Sequence, residues 1–284
     1  MLIAGPTASG KSALALARAR ESGGLVVNAD AMQVYDVLQL VTARPAAAEM
    51  GEVPHRLYGM VHPGRKFSTG DWLRAVRPVL AEADGRELIF VGGTGLYFEA
   101  LTKGFAEVPE VPAEAVARAE AAIAGLDGAG RGRLIAERDP AMAARLKAPD
   151  PQRVTRALAV LEATGRSLAS FQDDLQAGLL EGFALERLVL NPDREVLRQR
   201  IRRRFETMLE AGAAAEVAAL RQLGLDPALP AMKAIGVPEI TDWLEGRLSP
   251  EAAIERAVIA TRQYAKRQRT WFRNRMADWT WIEA

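Results

Sequence analysis

The stretch GPTASGKS, residues 5–12, is a complete G-x-x-x-x-G-K-[ST] phosphate-binding loop that opens near the start of the chain. The apolar residues 1–4 before it predict a buried strand, and the alanine- and leucine-rich residues 12–20 after it predict a helix. Strand, glycine loop and helix are the context that the motif requires. The loop therefore predicts a site for a diphosphate or triphosphate and leaves the attached group open. Its residues are Gly5, Pro6, Thr7, Ala8, Ser9, Gly10, Lys11 and Ser12.

Each part of the loop has a physical role in binding an anion. The two glycines let backbone N–H groups turn inward, and the start of the following helix adds its positive end. Lys11 supplies a point charge, and the Ser12 hydroxyl can hold Mg²⁺.

Composition excludes several classes of site. The chain has 284 residues, 49% of them hydrophobic, with no cysteine and two histidines. Disulfides, thiol catalysis and cysteine-ligated zinc are thereby excluded. The chain shows no charged-then-apolar leader and no apolar run near 18 residues. We therefore expect a soluble cytoplasmic protein without a membrane partner.

The net charge is only +1, but positive charge is concentrated in two segments. Residues 194–204 contain six arginines, a pattern equally typical of a solvated helix face and of an anion-binding one. Residues 262–275 contain six basic residues and no acid, interleaved with Tyr264, Trp271 and Phe272. This second pattern favours a polyanionic partner.

Strand and helix patterns alternate along the first hundred residues. Strands are predicted at 25–28, 56–62 and 88–91, and a helix at 69–84. Such alternation predicts an α/β protein with a P-loop NTPase-like parallel sheet flanked by helices. Ligands of such sheets bind beyond the carboxyl ends of the strands. The phosphate loop, residues 28–30 and residues 92–95 should all lie on that edge.

The pattern changes after two prolines in EVPEVPAEA, which begins at Glu107. Residues 111–176 are rich in alanine and arginine, have helical spacing and lack a strand signal. We interpret them as an inserted all-helical subdomain, and residues 1–110 with 177–284 as the core domain. Within the second part of the core we predict a strand at 185–190, a helix at 250–275 and a last strand at 279–282.

Two polar residues outside the loop are candidates for chemistry. Asp30 follows the second strand and could act as a general base, organise a metal or cap a helix. Thr94 follows the strand at 88–91 and could offer its hydroxyl to a ligand or cap a turn. That strand ends in two glycines where a Walker B acid would stand, so only Asp30 could substitute. His55 and His62 are interpreted as loop residues without a metal.

Seven segments taken in order resemble the tRNA dimethylallyltransferase family of bacterial type, also called tRNA isopentenyltransferases or IPP transferases. They are GPTASGKS (5–12), NADAMQVY (28–35), TARP (42–45), PHRL (54–57), VGGTGLY (91–97), DPQRVTRALAVLEATG (150–165) and TRQYAKRQRTWFR (261–273). The resemblance implies transfer of a dimethylallyl group from dimethylallyl diphosphate to the exocyclic amine of adenosine 37 in the tRNA anticodon loop.

The resemblance also implies roles for individual residues. Thr7 to Ser12 would hold the donor diphosphate, with Lys11 and Arg204 neutralising its charge and Ser12 on Mg²⁺. Asp30 matches the family's general base, and Thr94 matches its threonine at the reaction centre. We expect a monomer that contacts the anticodon stem-loop. The implied tRNA contacts are Asp30, Ala31, Met32, Gln33, Thr94, Gln152, Arg153, Val154, Thr155, Arg156 and Lys233.

This chain departs from the family pattern at several contacts. Ala31 stands where a serine is common, and Val116 where some relatives have an arginine. Three other functions remain open at this stage. They are a P-loop small-molecule kinase, a prenyltransferase for free adenine nucleotides and an RNA-binding module without chemistry.

Overall fold

The structure is a computed structural model that describes residues 1–283. The chain divides into two compact units, which we describe separately. Unit 1 consists of Met1–Leu101 together with the chain from Gly182 onward, and unit 2 is Thr102–Glu181. In the described part of the chain, no helix is long and apolar enough to cross a bilayer.

Unit 1 is built on a six-stranded parallel sheet with the order β3-β2-β4-β1-β7-β8. The strands are β1 (Leu2–Ala4), β2 (Leu25–Asn28), β3 (His55–Arg56), β4 (Leu88–Gly92), β7 (Arg187–Leu190) and β8 (Thr280–Ile282). Both β1 and β2 are buried along their whole length, as expected for strands covered on both faces. The predicted P-loop class of parallel sheet is therefore confirmed.

Helices surround this sheet in unit 1. They are α1 (Lys11–Ser22), α2 (Ala47–Met50), α3 (Thr69–Glu82), α4 (Gly95–Lys103), α10 (Arg194–Glu210), α11 (Ala213–Gln222), α12 (Val237–Leu244) and α13 (Pro250–Arg275), with a 3-10 turn at Ala231–Lys233. Helix α3 begins at a reciprocal cap in which Ser68 and Asp71 bond each other's backbone N–H. Its buried face consists of Trp72, Val76 and Val79, as the helical spacing predicts.

Register brings the predicted ligand segments to one edge. Ala4 of β1 pairs with Gly92 of β4, and Asn28 of β2 pairs with Val91. The carboxyl ends of these three central strands are therefore level. The phosphate loop, Asp30 and Thr94 follow directly from those ends, which explains how distant parts of the sequence meet.

Unit 2 contains five helices and one short ladder. The helices are α5 (Ala113–Ile123), α6 (Gly128–Arg138), α7 (Pro140–Arg145), α8 (Pro151–Thr164) and α9 (Leu168–Asp173). Their core includes Ile135, Val154 and Leu158. The ladder pairs β5 (Phe105–Ala106) antiparallel with β6 (Leu175–Gln176). The predicted segment 111–176 was expected to lack strands, and two residues of β6 are the exception.

Two predicted strands differ from the structure by more than one residue at an end. The strand expected at 56–62 is limited to His55–Arg56, because Leu57 and Gly59 have positive φ angles of 65° and 54° that end the extended conformation. Beyond this turn, Val61 makes only an isolated bridge to Tyr35. The strand expected at 185–190 begins two residues later, at Arg187.

Candidate active site at the carboxyl edge of the sheet

A cavity of about 360 Å³ opens at the carboxyl edge of the sheet in unit 1. The phosphate loop, the chain after β2, the loop before α2, helix α10, the 3-10 turn and helix α13 all contribute to it. Its wall is therefore charged on some sides and apolar on others. The lining residues are Thr7, Ala8, Lys11, Ser12, Asp30, Ala31, Met32, Gln33, Val41, Thr42, Ala43, Ile201, Arg204, Phe205, Met208, Lys233, Ala234, Ile235, Thr261, Tyr264 and Arg267.

The phosphate loop has the backbone shape of an anion cradle. Gly10 precedes α1 with φ of 90°, and Ala8 also has a positive φ of 63°. No side chain caps the first turn of α1. Its backbone N–H groups are thus available to an anion, and the positive end of the helix dipole points the same way.

Lys11 and Arg204 bring positive charge to the cavity from different elements. The Lys11 ammonium donates to the Pro6 carbonyl at 3.3 Å, and the Arg204 guanidinium donates to the Thr42 carbonyl at 3.3 Å. Burial lowers the pKa of Lys11 to about 8, opposed by attraction to Asp30 and assisted by repulsion from Arg204. Burial likewise lowers the pKa of Arg204, against the attraction of Asp30. These three charged groups therefore interact with one another across one cavity.

Asp30 is held by its own backbone and by one carboxylate oxygen. Its N–H donates to the Asn28 side-chain oxygen at 2.9 Å, and its carbonyl accepts from the Asn28 amide at 3.0 Å. Its Oδ1 accepts the N–H of Met32 at 2.9 Å. No helix begins here, so the helix-cap alternative is wrong. The remaining oxygen, Oδ2, is available to take a proton.

Thr94 is connected to the same segment. Its hydroxyl oxygen accepts the backbone N–H of Ala31 at 2.9 Å, and its own N–H donates to the Ala29 carbonyl at 3.2 Å. These bonds tie the turn after β4 to the turn after β2. The hydroxyl proton of Thr94 is left to be donated elsewhere.

The loop of residues 39–43 forms a further wall of the cavity. The Glu216 carboxylate on α11 accepts the backbone N–H groups of Gln39, Leu40 and Val41 at 2.9, 2.7 and 3.0 Å. The Gln33 side-chain amide donates to the carbonyls of Thr42 and Ala43, both at 2.9 Å. Gln33 was predicted as a tRNA contact, and in this structure its amide is engaged with the loop.

Helix α13 closes the cavity with its inward face. Tyr264 lines the cavity, and the Arg267 guanidinium lies 5.8 Å from the centre of the Tyr264 ring. Burial, and then the nearby Asp30 charge, raise the pKa of Tyr264. The same two causes raise the pKa of Tyr58 and contribute most to the rise for Tyr97. These phenols remain neutral at physiological pH.

The donor set fits Mg²⁺ only with help from a ligand. Among residues 1–283 there is no group of three or more histidines and acids that could hold a metal ion. Magnesium prefers oxygen ligands and commonly keeps several waters while it binds substrate phosphates. The Ser12 hydroxyl at the cavity, together with oxygens of a bound diphosphate, meets that requirement.

A second concave surface, of about 570 Å³, lies between α10 and α13 and is strongly basic. In the described part of the chain, Lys266, Arg269 and Arg273 make no ion pair within 4.0 Å. Burial first, and then repulsion from Arg273 and Arg194, lower the pKa of Arg269. We call this surface the basic groove; its charged residues are Arg194, Arg198, Arg262, Lys266, Arg269 and Arg273.

The predicted tRNA contacts fall into two groups, apart from Thr94, which is not among the residues that line the cavity and bonds the Ala31 backbone beside it. Asp30, Ala31, Met32, Gln33 and Lys233 line the cavity in unit 1. Residues 152–156 lie on α8 in unit 2, where Gln152, Arg153 and Arg156 are exposed and Thr155 is half-buried.

One of these predicted contacts is wrong. The Val154 side chain is 0% exposed and packs in the core of unit 2, because it occupies the inward position of the first turn of α8. It cannot offer its side chain to an RNA.

Sequence reasoning missed several residues of the site. Glu216 and Gln268 were not predicted, and Tyr264 was assigned only to a basic, aromatic helix. The apolar wall formed by Val41, Ile201, Phe205 and Met208 was also missed. Helical spacing would have indicated that Tyr264 and Gln268 face inward. Both lie on the helix face that carries the buried Ala257, Ala265 and Phe272. No local signal marks Glu216.

Comparisons with known proteins agree with this geometry. The family model described as IPP transferase matches residues 33–275. The tRNA dimethylallyltransferase of Agrobacterium fabrum is 51% identical over 289 residues, covering 100% of this chain and 96% of its own length. That of Rhizobium meliloti is 49% identical over 283 residues, covering 99% and 93%.

Solved structures extend the comparison to the fold. A tRNA isopentenylpyrophosphate transferase from Bacillus halodurans has a TM-score of 0.68 at 33% identity, covering 99% of this chain and 88% of that one. A eukaryotic dimethylallyltransferase, studied while acting on tRNA, has a TM-score of 0.82 at 27% identity, covering 99% and 73%. The sequence and fold evidence agree, and the chain belongs to the IPP transferase family.

Proposed function

We propose that this protein transfers a dimethylallyl group from dimethylallyl diphosphate to the N6 amine of adenosine 37 in the anticodon loop of tRNA, and releases diphosphate. One observation carries the proposal. A single cavity is lined by the phosphate loop, by the cations Lys11 and Arg204, and by the carboxylate of Asp30. The cations proposed to bind the donor and the carboxylate proposed to assist the acceptor therefore lie in the same cavity. Family membership supports prenyl transfer over the kinase alternative.

The donor end of the cavity binds the diphosphate. Uncapped backbone N–H groups at the start of α1 donate to its oxygens, and Lys11 and Arg204 supply positive charge. When the allylic C–O bond breaks, its electron pair goes to the departing diphosphate and negative charge increases there. Cations held in fixed positions stabilise that charge more than they stabilise the bound substrate, so they raise the rate.

The apolar wall receives the five-carbon group of the donor. Ile201, Arg204 and Phe205 all lie on α10. Ile201 is about one turn before the arginine, and Phe205 is the residue directly after it. Phe205 also packs within reach of Gly236, where an added Cβ would lie 3.2 Å from its ring. This arrangement suits a ligand with a charged head and a short branched tail.

Asp30 assists the acceptor. The lone pair of an adenine amine is delocalised into the ring, so the amine is a weak nucleophile. As the new C–N bond forms, Oδ2 of Asp30 takes a proton from N6, which removes the positive charge that would otherwise develop there. The Thr94 hydroxyl, which is oriented by the N–H of Ala31, donates its proton to an oxygen of the reacting groups.

Mg²⁺ fits this site through Ser12 and the donor. The Ser12 hydroxyl and oxygens of the diphosphate would hold the ion. When bound, the ion neutralises part of the negative charge on the diphosphate.

The RNA reaches the cavity with its target base outside the stack. Enzymes that modify a base take it out of the helix or act on an unpaired one, and a loop nucleotide requires less energy to extrude. Met32, Gln33 and Lys233 would surround the base or its neighbours at the cavity. Gln152, Arg153, Thr155 and Arg156 on α8 and the cations of the basic groove are proposed to contact other parts of the anticodon stem-loop.

The test is direct. The purified protein is incubated with labelled dimethylallyl diphosphate, Mg²⁺ and an unmodified tRNA transcript, and the RNA is digested to nucleosides. We expect label on the adenosine of position 37 and none when that base is replaced by guanosine. Transfer to free AMP at an equal rate would support the alternative of a free-nucleotide prenyltransferase. Light scattering of the same sample tests the expected monomer.

A further inference from the structure

Gln268 is an unusual residue on the inward face of α13. It is 6% exposed and lies in helical register with the buried Ala257, Ala265 and Phe272. An amide in such a position is unfavourable unless its polar atoms find partners, and an apolar side chain would fill the same space without that requirement. The presence of an amide here therefore needs an explanation.

Both ends of the Gln268 amide bond the backbone of the candidate site. Its Oε1 accepts the N–H of Thr7 in the phosphate loop at 3.0 Å. Its Nε2 donates to the carbonyl of Gly93, in the turn before Thr94, at 2.9 Å. A backbone N–H can only donate and a carbonyl can only accept, so these partners fix the orientation of the amide. One side chain thus connects the donor side of the cavity to the turn that carries Thr94.

The same amide lies next to the proposed base. A Cβ added at Gly93 would be 2.3 Å from Nε2 of Gln268 and 3.2 Å from Oδ2 of Asp30. The amide and the carboxylate therefore lie close to the same backbone position, where a side chain would displace the Gln268 amide. Thr94 in turn bonds Ala31, directly after Asp30. A chain of bonds runs from the phosphate loop through Gln268 and the Thr94 turn to Asp30.

We propose that Gln268 is a positioning residue that sets the distance between the diphosphate cradle and the Asp30–Thr94 pair. The inference rests on the proposed prenyl transfer and adds a residue to its machinery. Gln268 does not touch the reacting atoms. It holds the two halves of the site in register, and reactions between two bound partners lose about 100-fold in rate when such register shifts by about 1 Å.

The first variant removes the connection. We expect Gln268→Ala to lower kcat for tRNA prenylation by about 100-fold, with the KM for dimethylallyl diphosphate and the Kd for tRNA within about threefold of wild type. Gln222→Ala, which removes an exposed amide on α11, is the matched control and should leave kcat unchanged. A kcat of Gln268→Ala within threefold of wild type overturns the proposal.

The second variant separates positioning from simple packing. In Gln268→Glu, a protonated carboxyl can accept from the Thr7 N–H and donate to the Gly93 carbonyl, as the amide does. An ionised carboxylate cannot donate, and it repels the Gly93 carbonyl and Asp30. Burial and the Asp30 charge raise the pKa of a carboxyl at this position, and a hydrogen bond from the Tyr264 hydroxyl opposes them, so the protonated fraction should increase as the pH falls. The kcat of this variant relative to wild type should rise at least tenfold from pH 8 to pH 6, while the Gln268→Ala ratio stays flat. A flat ratio for both variants overturns the proposal.

A measurement independent of turnover covers the case in which the wild-type protein fails to prenylate tRNA. Hydrogen exchange should accelerate in the phosphate-loop peptide and in the peptide containing Thr94 in Gln268→Ala, while peptides of unit 2 are unchanged. If exchange accelerates in both peptides but the wild-type protein does not prenylate tRNA, the proposed function is refuted and the structural role of Gln268 is supported. Unchanged exchange in both peptides would refute the connection whatever the activity. Thermal melts identify a variant that is unfolded, and the Gln268→Glu series then decides the question alone.

Discussion

The depressed pKa of Lys11 makes donor binding dependent on pH. Burial, with a contribution from Arg204, lowers this pKa to about 8 in the ligand-free protein. A bound diphosphate adds negative charge beside the ammonium and raises the pKa again. The bound state then holds more protons than the free state, so affinity must decrease as pH rises above 8.

The expected magnitude follows from the titration. With a pKa of about 8, the charged fraction of Lys11 is about 90% at pH 7 and about 10% at pH 9. The affinity for dimethylallyl diphosphate should therefore fall about tenfold over this range, equivalent to about 1.4 kcal/mol of binding free energy. At pH 8, binding should take up about half a proton per site. Calorimetric titration in two buffers of different ionisation enthalpy measures both quantities.

Lys11→Arg is the matched control, because a guanidinium stays charged throughout this range. Its affinity, whatever its absolute value, should be flat between pH 7 and pH 9. The Met1 amine also has a lowered pKa, but it donates to Leu88 at the amino end of β4, at the opposite edge of the sheet. A wild-type affinity constant within twofold from pH 7 to pH 9, or an equal slope in Lys11→Arg, would refute the reasoning.

Three further predictions test other parts of the site. Asp30→Asn should lower the rate of prenyl transfer by roughly 10²- to 10⁴-fold while donor and tRNA affinities stay within a few fold; full turnover contradicts the base assignment. Replacing Lys266 and Arg269 by glutamine should weaken tRNA binding and reduce the log–log salt slope by roughly 0.7 to 0.9 per lost phosphate contact. The control, Arg86→Gln, should leave the slope unchanged. Glu216→Ala leaves three backbone N–H groups without their carboxylate and should lower the free energy of unfolding by about 1–3 kcal/mol in urea titrations; an unchanged midpoint would show that water replaces the carboxylate.

Much of the site could be predicted because it follows from local patterns and one rule of sheet geometry. The motif identified the loop, the apolar runs identified β1, β2 and β4, and parallel pairing brings their carboxyl ends together. Asp30 and Thr94 could thus be assigned to one edge before any coordinates were known.

The parts that were missed depend on long-range contacts. Glu216 bonds residues about 175 positions earlier in the chain, and no periodicity or motif encodes such a partner. The inward position of Gln268 was not predicted, because the basic residues around it are typical of a charged surface helix. Its inward position becomes visible only when the helix phase is set against the core residues of α13.

The end of β4 bears on the role that we propose for Asp30. In many phosphate-loop proteins an acid follows the neighbouring strand and holds the metal. A Cβ at Gly92 would lie 2.0 Å from the Ala29 carbonyl oxygen, and a Cβ at Gly93 would lie 2.3 Å from the Gln268 amide. An acidic side chain at Gly92 would therefore require the backbone after β2 to move, and one at Gly93 would displace the Gln268 amide from its hydrogen bonds.

Asp30, which follows the neighbouring strand, supplies a carboxylate to the cavity, with one oxygen engaged by Met32 and the other unoccupied by the protein. A carboxylate that binds Mg²⁺ has its charge neutralised and becomes a weaker base. If the metal is held by Ser12 and the donor, as we propose, Asp30 would remain free to accept a proton. The two glycines that stand at the end of β4 in place of an acid thus favour the proposed proton removal from an acceptor over nucleotide hydrolysis.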